Sequence, residues 1–119
     1  MKAHEYIDLC AARGRWIAAV GAATQGYDAL LSPTVPIVAP PIAQVAPGAE
    51  RDEEFFRVNA LLLRNPSVVN MLDGCALSVP CHAAGELPVG LMLWQGALRD
   101  DAVLNIGLQA EAALASLKA

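Results

Sequence analysis

The chain has 119 residues, of which 55% are hydrophobic, 17% charged and 5% aromatic, and 8 Lys+Arg against 12 Asp+Glu leave a formal charge of −4. That length accommodates one small domain, and an apolar content this high excludes a disordered chain. The acidic balance argues against a nucleic-acid or anionic-membrane partner, since both require a basic patch.

No stretch reaches the roughly 18–20 continuous apolar residues of a spanning helix, and Met1-Lys2-Ala3-His4-Glu5 leads into a mixed helix rather than a signal-peptide core. Cys10, Cys75 and Cys81 are odd in number and lack Cys-x-x-Cys spacing, so a reduced, cytoplasmic setting is predicted. The apolar surplus is alanine and leucine, and a chain so composed is expected to expose an apolar face. A second copy of the chain is one partner such a face would accept.

Tyr6, Leu9, Cys10, Arg13, Trp16, Ile17 and Val20 recur at three- and four-residue steps, predicting a helix over 3–25 that Gly26 stops. Tyr27 to Leu31 then reads as a short buried strand closed by Ser32-Pro33. Five of the eight prolines fall between Ser32 and Glu50, which predicts an extended loop packed along the body. The charge run Glu50 to Glu54 places acids where a helix start favours them. That helix is expected to run to about Leu63, to break at Asn65-Pro66-Ser67, and to resume as a second short helix to Leu72, with Asp73-Gly74 as the stop. Cys75–Pro80 and Pro88–Trp94 read as the two strands of an antiparallel hairpin. A last helix opens at Arg99-Asp100-Asp101, with Val103, Leu104, Ile106, Leu108, Ala112 and Leu117 as its apolar positions. The predicted fold class is α/β, with a mixed sheet of about three strands packed with helices. Leu30, Val79, Leu91 and Leu93 are its expected core.

Chemistry is mostly missing. None of Ser32, Ser67, Ser78 and Ser116 lies in a Gly-x-Ser-x-Gly elbow, so structural roles are expected for them. His4, near the terminus, and His82, in the hairpin turn, are expected to be solvent-exposed. Cys75, Cys81 and His82 would converge on a metal only if their strand bent, so small hydrophobic side chains are the expectation and no metal or cofactor is predicted. No glycine-rich phosphate loop is present. Lys2 and Lys118 each lie within two residues of a terminus, where burial cannot lower a lysine pKa for catalysis.

Four blocks in order resemble the amidase signature family, over about residues 5–117. Tyr27-Asp28-Ala29-Leu30-Leu31-Ser32-Pro33-Thr34-Val35-Pro36 is similar to the family's (F/Y)D-x-L-L-T-P-T-x-P strand and loop, continued by Ala39-Pro40-Pro41-Ile42. Asn70 to Cys81 resembles N-x-x-G-x-P-A-x-S-V-P-x-G, Leu87 to Leu93 resembles G-L-P-V-G-L-Q-L, and the final helix resembles the family's closing helix. The resemblance implies that residues 1–119 are a single partial domain, the C-terminal segment of an amidase domain. It further implies amide C–N hydrolysis in the full-length enzyme by a Ser–cis-Ser–Lys triad that lies upstream, so this chain alone is expected to be inactive and no catalytic residue is carried over. Within the matched region, the resemblance makes Ser32, Thr34 and Val35 candidate walls of the pocket for a small-molecule amide. Departures stand at Ser32 (family Thr), Cys75 (family Pro) and His82 (family Gly). They imply a divergent general amidase rather than a close relative of the A subunit of glutamyl-tRNA amidotransferase. Two other expectations remain open beside the inactive piece: an amidase-like remnant that pairs through its exposed face, and a binding module for small amides.

Overall fold

A computed structural model describes residues 1–48 and 52–117. The elements run α1 (Ala3–Ala23), β1 (Leu30–Pro33), α2 (Ile42–Val45), α3 (Asp52–Met71), β2 (Cys75–Pro80), β3 (Gly90–Gln95) and α4 (Asp100–Leu117). The three strands form one sheet in the order β1-β3-β2. This is the predicted α/β class with its predicted hairpin; the first and last helices are also as expected, whereas α2 and the unbroken α3 are not.

The sheet is antiparallel throughout the described residues rather than mixed. The reason lies in the connection. β1 and β2 point the same way, joined through α3 as in a βαβ unit. The hairpin then returns β3 into the gap between them, so each like-directed strand meets only its opposite. Leu31, Leu93 and Leu77 stand abreast across the three strands, as do Ser32, Met92 and Ser78. Side chains alternate between faces along a strand, so the leucines line one face and the two serines the other.

The leucine face carries the core. Val79, Leu93 and Val103 are buried together, with Cys75, Leu77, Ile106, Ala110 and Leu114 packed around them. Val103, Ile106, Ala110 and Leu114 recur at three- and four-residue steps on α4, the stripe that a helix laid on a sheet must present. Of the four predicted core residues Val79 and Leu93 are buried, whereas Leu30 and Leu91 are only half-buried. α4 covers β2 and β3 but leaves Leu31 of β1 64% exposed, so the margin of this face is open.

On the serine face, the second half of α3 lies against β1 and β3. Asn65, Val68, Ser32, Met92 and Trp94 line a cleft of about 110 Å3 there, and Asn65 Nδ2 donates to the Pro33 carbonyl at 2.8 Å. The expected break at Pro66 does not occur: α3 is continuous from Asp52 to Met71. An internal proline forfeits one helix hydrogen bond and crowds the carbonyl four residues back, but Val58 before it and Val69 after it are both buried and tie the two halves into one helix. Of the charge run read as a helix start, Glu50 and Arg51 lie outside the described residues, while Asp52, Glu53 and Glu54 occupy the first turn. The Arg57 guanidinium holds the Glu54 carboxyl below the usual carboxylate range, and Gln44 Nε2 donates to the same carboxylate at 2.8 Å. That contact ties α2, a single turn inside the otherwise extended proline segment, to α3.

α3 ends as Asp73-Gly74 predicted. Gly74 N–H donates to the Val69 carbonyl at 3.0 Å and Asp73 N–H to the Asn70 carbonyl at 3.2 Å, with Asp73 at φ 53°. This is the paired closure of a Schellman turn with an aspartate in the left-handed position. Gly74 has no room for a side chain, because a Cβ there would meet the Gln95 carbonyl oxygen at 2.5 Å and Val69 Cγ1 at 3.1 Å. Gly74→Ala is therefore expected to cost about 1–3 kcal/mol, the scale of overpacking against atoms that cannot yield, read as a lower urea midpoint.

The first predicted strand begins later than expected, at Leu30 instead of Tyr27, because β3 reaches alongside only from the Leu30–Trp94 pair onward. Before that, the Tyr27 carbonyl is taken by Gln95 Nε2 at 2.8 Å, a side-chain bond in place of a ladder bond. Pro33 is tolerated in β1 because the strand is an edge. Gly26, at φ 94°, makes the predicted turn out of α1.

None of the 21 residues of α1 is buried. Its inner side chains Ile17 and Val20, with Thr24 capping the helix, line a cleft of about 360 Å3 with Tyr27, Trp94 and Gln95. Arg13 reaches across to Asp73 at 2.5 Å and donates through Nε to the Met71 carbonyl at 3.0 Å. Tyr6, Leu9 and Trp16 share the stripe of Arg13, Ile17 and Val20 at three-, four- and seven-residue steps. They remain exposed.

These layers make a flat body measuring 55 × 47 × 17 Å with a radius of gyration of 17.7 Å. A compact chain of this length has a radius of about 13.5 Å. Its accessible surface is 8421 Å2, against about 6,200 Å2 for a compact monomer of this mass. Large hydrophobic side chains left exposed on it include Tyr6, Ile7, Leu9, Tyr27 and Leu31.

Candidate functional site

The three candidate wall residues sit at the end of β1 and in the bend that follows. Ser32 lies within the strand, half-buried, and its Oγ is shielded from solvent without a hydrogen-bond partner. Buried hydroxyls almost always find a partner, so this one departs from the usual pattern. Trp94 Nε1, which belongs to the same cleft wall, is equally shielded and unpartnered. Thr34 continues the ladder one residue past β1, its N–H donating to the Gly90 carbonyl at 2.8 Å. Val35 follows in the bend, half-buried.

Thr34 does not stand alone. Its Oγ1 lies 2.5 Å from Ser78 Oγ of β2, although β1 and β2 are not neighbours. Adjacent strands are about 4.8 Å apart, so side chains from the two outer strands meet only by crossing over β3. Gly90 makes that crossing possible, since a Cβ on it would come within 2.6 Å of Thr34 Oγ1 and would collide with Ser78 Oγ as well. Ser78, expected to be structural, is exposed on the serine face together with Ala76 and Pro80. The structure therefore brings Thr34, Ser78 and Gly90 together and sets Ser32 beside them on the same face.

The signal for Ser78 was present in the hairpin register. Pairing Cys75–Pro80 with Gly90–Gln95 puts Ser78 opposite Met92, and Met92 faces Ser32 on its other side. A glycine inside the expected strand Pro88–Trp94 also signals a close approach of other groups to the backbone. Strand order alone was not readable, because nothing local says that β3 inserts beside β1.

His82 is half-buried rather than solvent-exposed, because Val89 N–H donates to its Nδ1 at 3.3 Å and draws the ring against the hairpin loop. Cys81 Sγ is 3.5 Å from the Val89 carbonyl and Cys75 Sγ 3.5 Å from the Gly96 carbonyl. Among the described residues no three His, Cys, Asp or Glu side chains gather to hold a metal. On α1, hydrogen bonding to Cys10 raises the Tyr6 phenol above its usual range. The serine face presents the hydroxyls of Ser32, Thr34 and Ser78.

Proline-flanked strand, hydroxyl-bearing bend and Ser-Val-Pro hairpin belong together in one family: residues 1–104 match the Amidase family model, and the chain is a member of that family. It is 36% identical over 92 residues to the A subunit of glutamyl-tRNA(Gln) amidotransferase from Salinispora arenicola, covering 77% of this chain and 17% of the relative. The corresponding protein of Saccharolobus solfataricus is 38% identical over 80 residues, covering 67% and 15%. A 2-amino-5-chloromuconic acid deaminase of Comamonas testosteroni is 33% identical over 86 residues, covering 71% and 18%. No solved structure matches the chain. The 119 residues thus span about a sixth of the length of these relatives. Proteins named for different reactions match at similar identity, so the likeness assigns the family and not a substrate.

Proposed function

We propose that this chain is the C-terminal part of an amide hydrolase. In that reading it walls the acyl side of the substrate pocket with Ser32, Thr34 and Val35 and carries out no hydrolysis by itself. The observation that carries the reading is Ser32 Oγ, buried without a protein partner, in a chain that belongs to the Amidase family. An unpartnered hydroxyl is disfavoured unless something else completes it, and an acyl oxygen entering the adjoining cleft of Asn65, Val68, Met92 and Trp94, with a shift of that wall to uncover the hydroxyl, is suited to do so. The substrate is a small-molecule amide of the whole enzyme, with no cofactor, and the Cys75 and His82 departures favour a divergent general amidase over a tRNA-dependent amidotransferase. No nucleic acid or membrane is a partner in this reading. No helix of the described residues is long and apolar enough to cross a membrane, and the free Cys10, Cys75 and Cys81 favour the cytoplasm.

Two measurements test this. The purified chain is expected to release no ammonia from aliphatic amides, and release that survives repurification overturns the inactive reading. A saturating aliphatic amide is expected to raise the thermal midpoint, with about 1.4 kcal/mol gained at ten times the dissociation constant. Ser32→Ala should remove most of that gain, and an unchanged gain removes Ser32 from the wall.

One observation favours a second reading, an amidase-like module that associates through its apolar face. Tyr6, Leu9 and Trp16 are 57%, 54% and 37% exposed on one stripe of α1. A concentration-dependent dimer in light scattering, dispersed by Leu9→Glu, supports it; a monomer at all concentrations rejects it.

A further inference from the structure

The geometry points to Ser78 as a further substrate-positioning residue, which with Thr34 forms a neutral hydroxyl pair that binds the carbonyl oxygen of an uncharged amide. This rests on the amide-pocket reading above and adds to it a residue and a preference.

The argument begins with protons. Thr34 Oγ1 and Ser78 Oγ are 2.5 Å apart, so one hydroxyl donates and the other accepts. Each hydroxyl has one proton, so the pair keeps one O–H unspent whichever direction the bond takes. A hydroxyl that donates is also a better acceptor and one that accepts a better donor, because hydrogen bonds in a chain polarise one another. The free proton is therefore a stronger donor than a lone serine would offer. Ser78 is exposed, and the bonded pair is exposed with it, so a ligand can reach it.

The placement depends on Gly90. β1 and β2 flank β3, and the hydroxyls meet only because the residue beneath them has no side chain. The same Gly90 accepts the Thr34 N–H through its carbonyl, which holds the threonine backbone in register while its side chain leans across. Thr34 and Ser78 are thus oriented from two strands over a third. Neither needs to be reoriented when a ligand arrives, which lowers the entropic cost of binding it.

The preference for a neutral ligand follows from the same parts. Two hydroxyls over a glycine bring no cation, so they offer nothing to offset the desolvation of a carboxylate. An amide carbonyl accepts one hydrogen bond from the pair without that penalty.

The test is a titration of the labelled chain with butyramide and, separately, with butyrate, followed by amide chemical shifts. Saturable shifts at Thr34, Ser78 and Gly90 with butyramide and none with butyrate are expected. Ser78→Ala removes an exposed hydroxyl and should leave the spectrum otherwise folded, with butyramide affinity roughly tenfold weaker, the scale of one lost hydrogen bond. Gly90→Ala keeps both hydroxyls but pushes them apart, and should weaken binding at least as much. If butyramide shifts Ser32 and Thr34 equally in wild type and in Ser78→Ala, the hydroxyl pair is overturned while the amide pocket stands. Equal binding of butyrate overturns the preference. If butyramide produces no saturable shift in wild type, the pocket reading fails and the pair fails with it.

Discussion

Val79→Asp is expected to abolish the folded state. Val79 is 5% exposed and packs with Leu93 and Val103 at the junction of β2, β3 and α4. An aspartate there has no cation beside it among the residues of that cluster, which are apolar apart from Cys75. Burying a carboxyl without a partner costs several kcal/mol even after it takes up a proton. Small domains hold only about 5–15 kcal/mol in total, and this one has less margin than a compact fold because so much of its surface stays in water. Loss of the cooperative urea transition and of dispersed amide resonances is the expected readout. Ala76→Asp, on the same strand but exposed on the other face, is the control and should change stability by less than about 0.5 kcal/mol. A folded Val79→Asp would mean that α4 does not seal the leucine face.

The contrast between those two substitutions also shows what could be read in advance. Alternation along Cys75–Pro80 and the turn signals around residues 82–87 are local, so β2, β3 and their pairing were legible from the sequence, and Val79 and Leu93 with them. Leu30 and Leu91 were not distinguishable from Leu93 by pattern. The half-burial of Leu91 depends on how far α4 extends over its face, and that of Leu30, which pairs with Trp94 on the opposite face, on what α3 and the turn after α1 leave uncovered; both are tertiary facts. Pro66 misled for the opposite reason. Its local cost is real, but Val58 and Val69 anchor α3 on both sides of it, and burial outweighs one missing hydrogen bond. At the site, Ser32, Thr34 and Val35 could be named because the Ser-Pro-Thr segment resembles a family motif. Ser78 left a signal in the hairpin register, but its meeting with Thr34 over Gly90 was not legible, because it exists only once β3 enters between β1 and β2.

The open surface has a physical reading that links fold to function. A sheet with α4 on one face and half of α3 on the other leaves Ala76, Ser78 and Pro80 uncovered, and those residues adjoin Thr34. The uncovered part of the serine face is therefore the part that carries the Thr34–Ser78 hydroxyl pair, while the centre of the leucine face, closed around Leu93, carries the stability. Substitutions should divide accordingly: Ser32, Thr34 and Ser78 affect ligand response with little effect on folding, and the residues around Leu93 do the reverse.

Leu93→Ala tests the stability half of that division. Leu93 is 1% exposed, the only fully buried large side chain among the described residues. It sits in the middle strand with Leu31 and Leu77 on either side. Truncation removes its transfer free energy and leaves a cavity that two flanking strands and a helix cannot all close, for a cost of about 2–5 kcal/mol. Leu91→Ala, two residues away on the same face but half-buried, loses contact on one side only and should cost about half as much or less, since its cavity opens to solvent. Urea midpoints at constant slope give both numbers. Leu93→Ala should also leave the saturable butyramide shifts at Thr34 and Ser78 in place under conditions where the variant remains folded, because its side chain projects to the opposite face. Equal losses for Leu91→Ala and Leu93→Ala would place the core nearer the Gly90 end of the sheet than the packing of Val79, Leu93 and Val103 puts it.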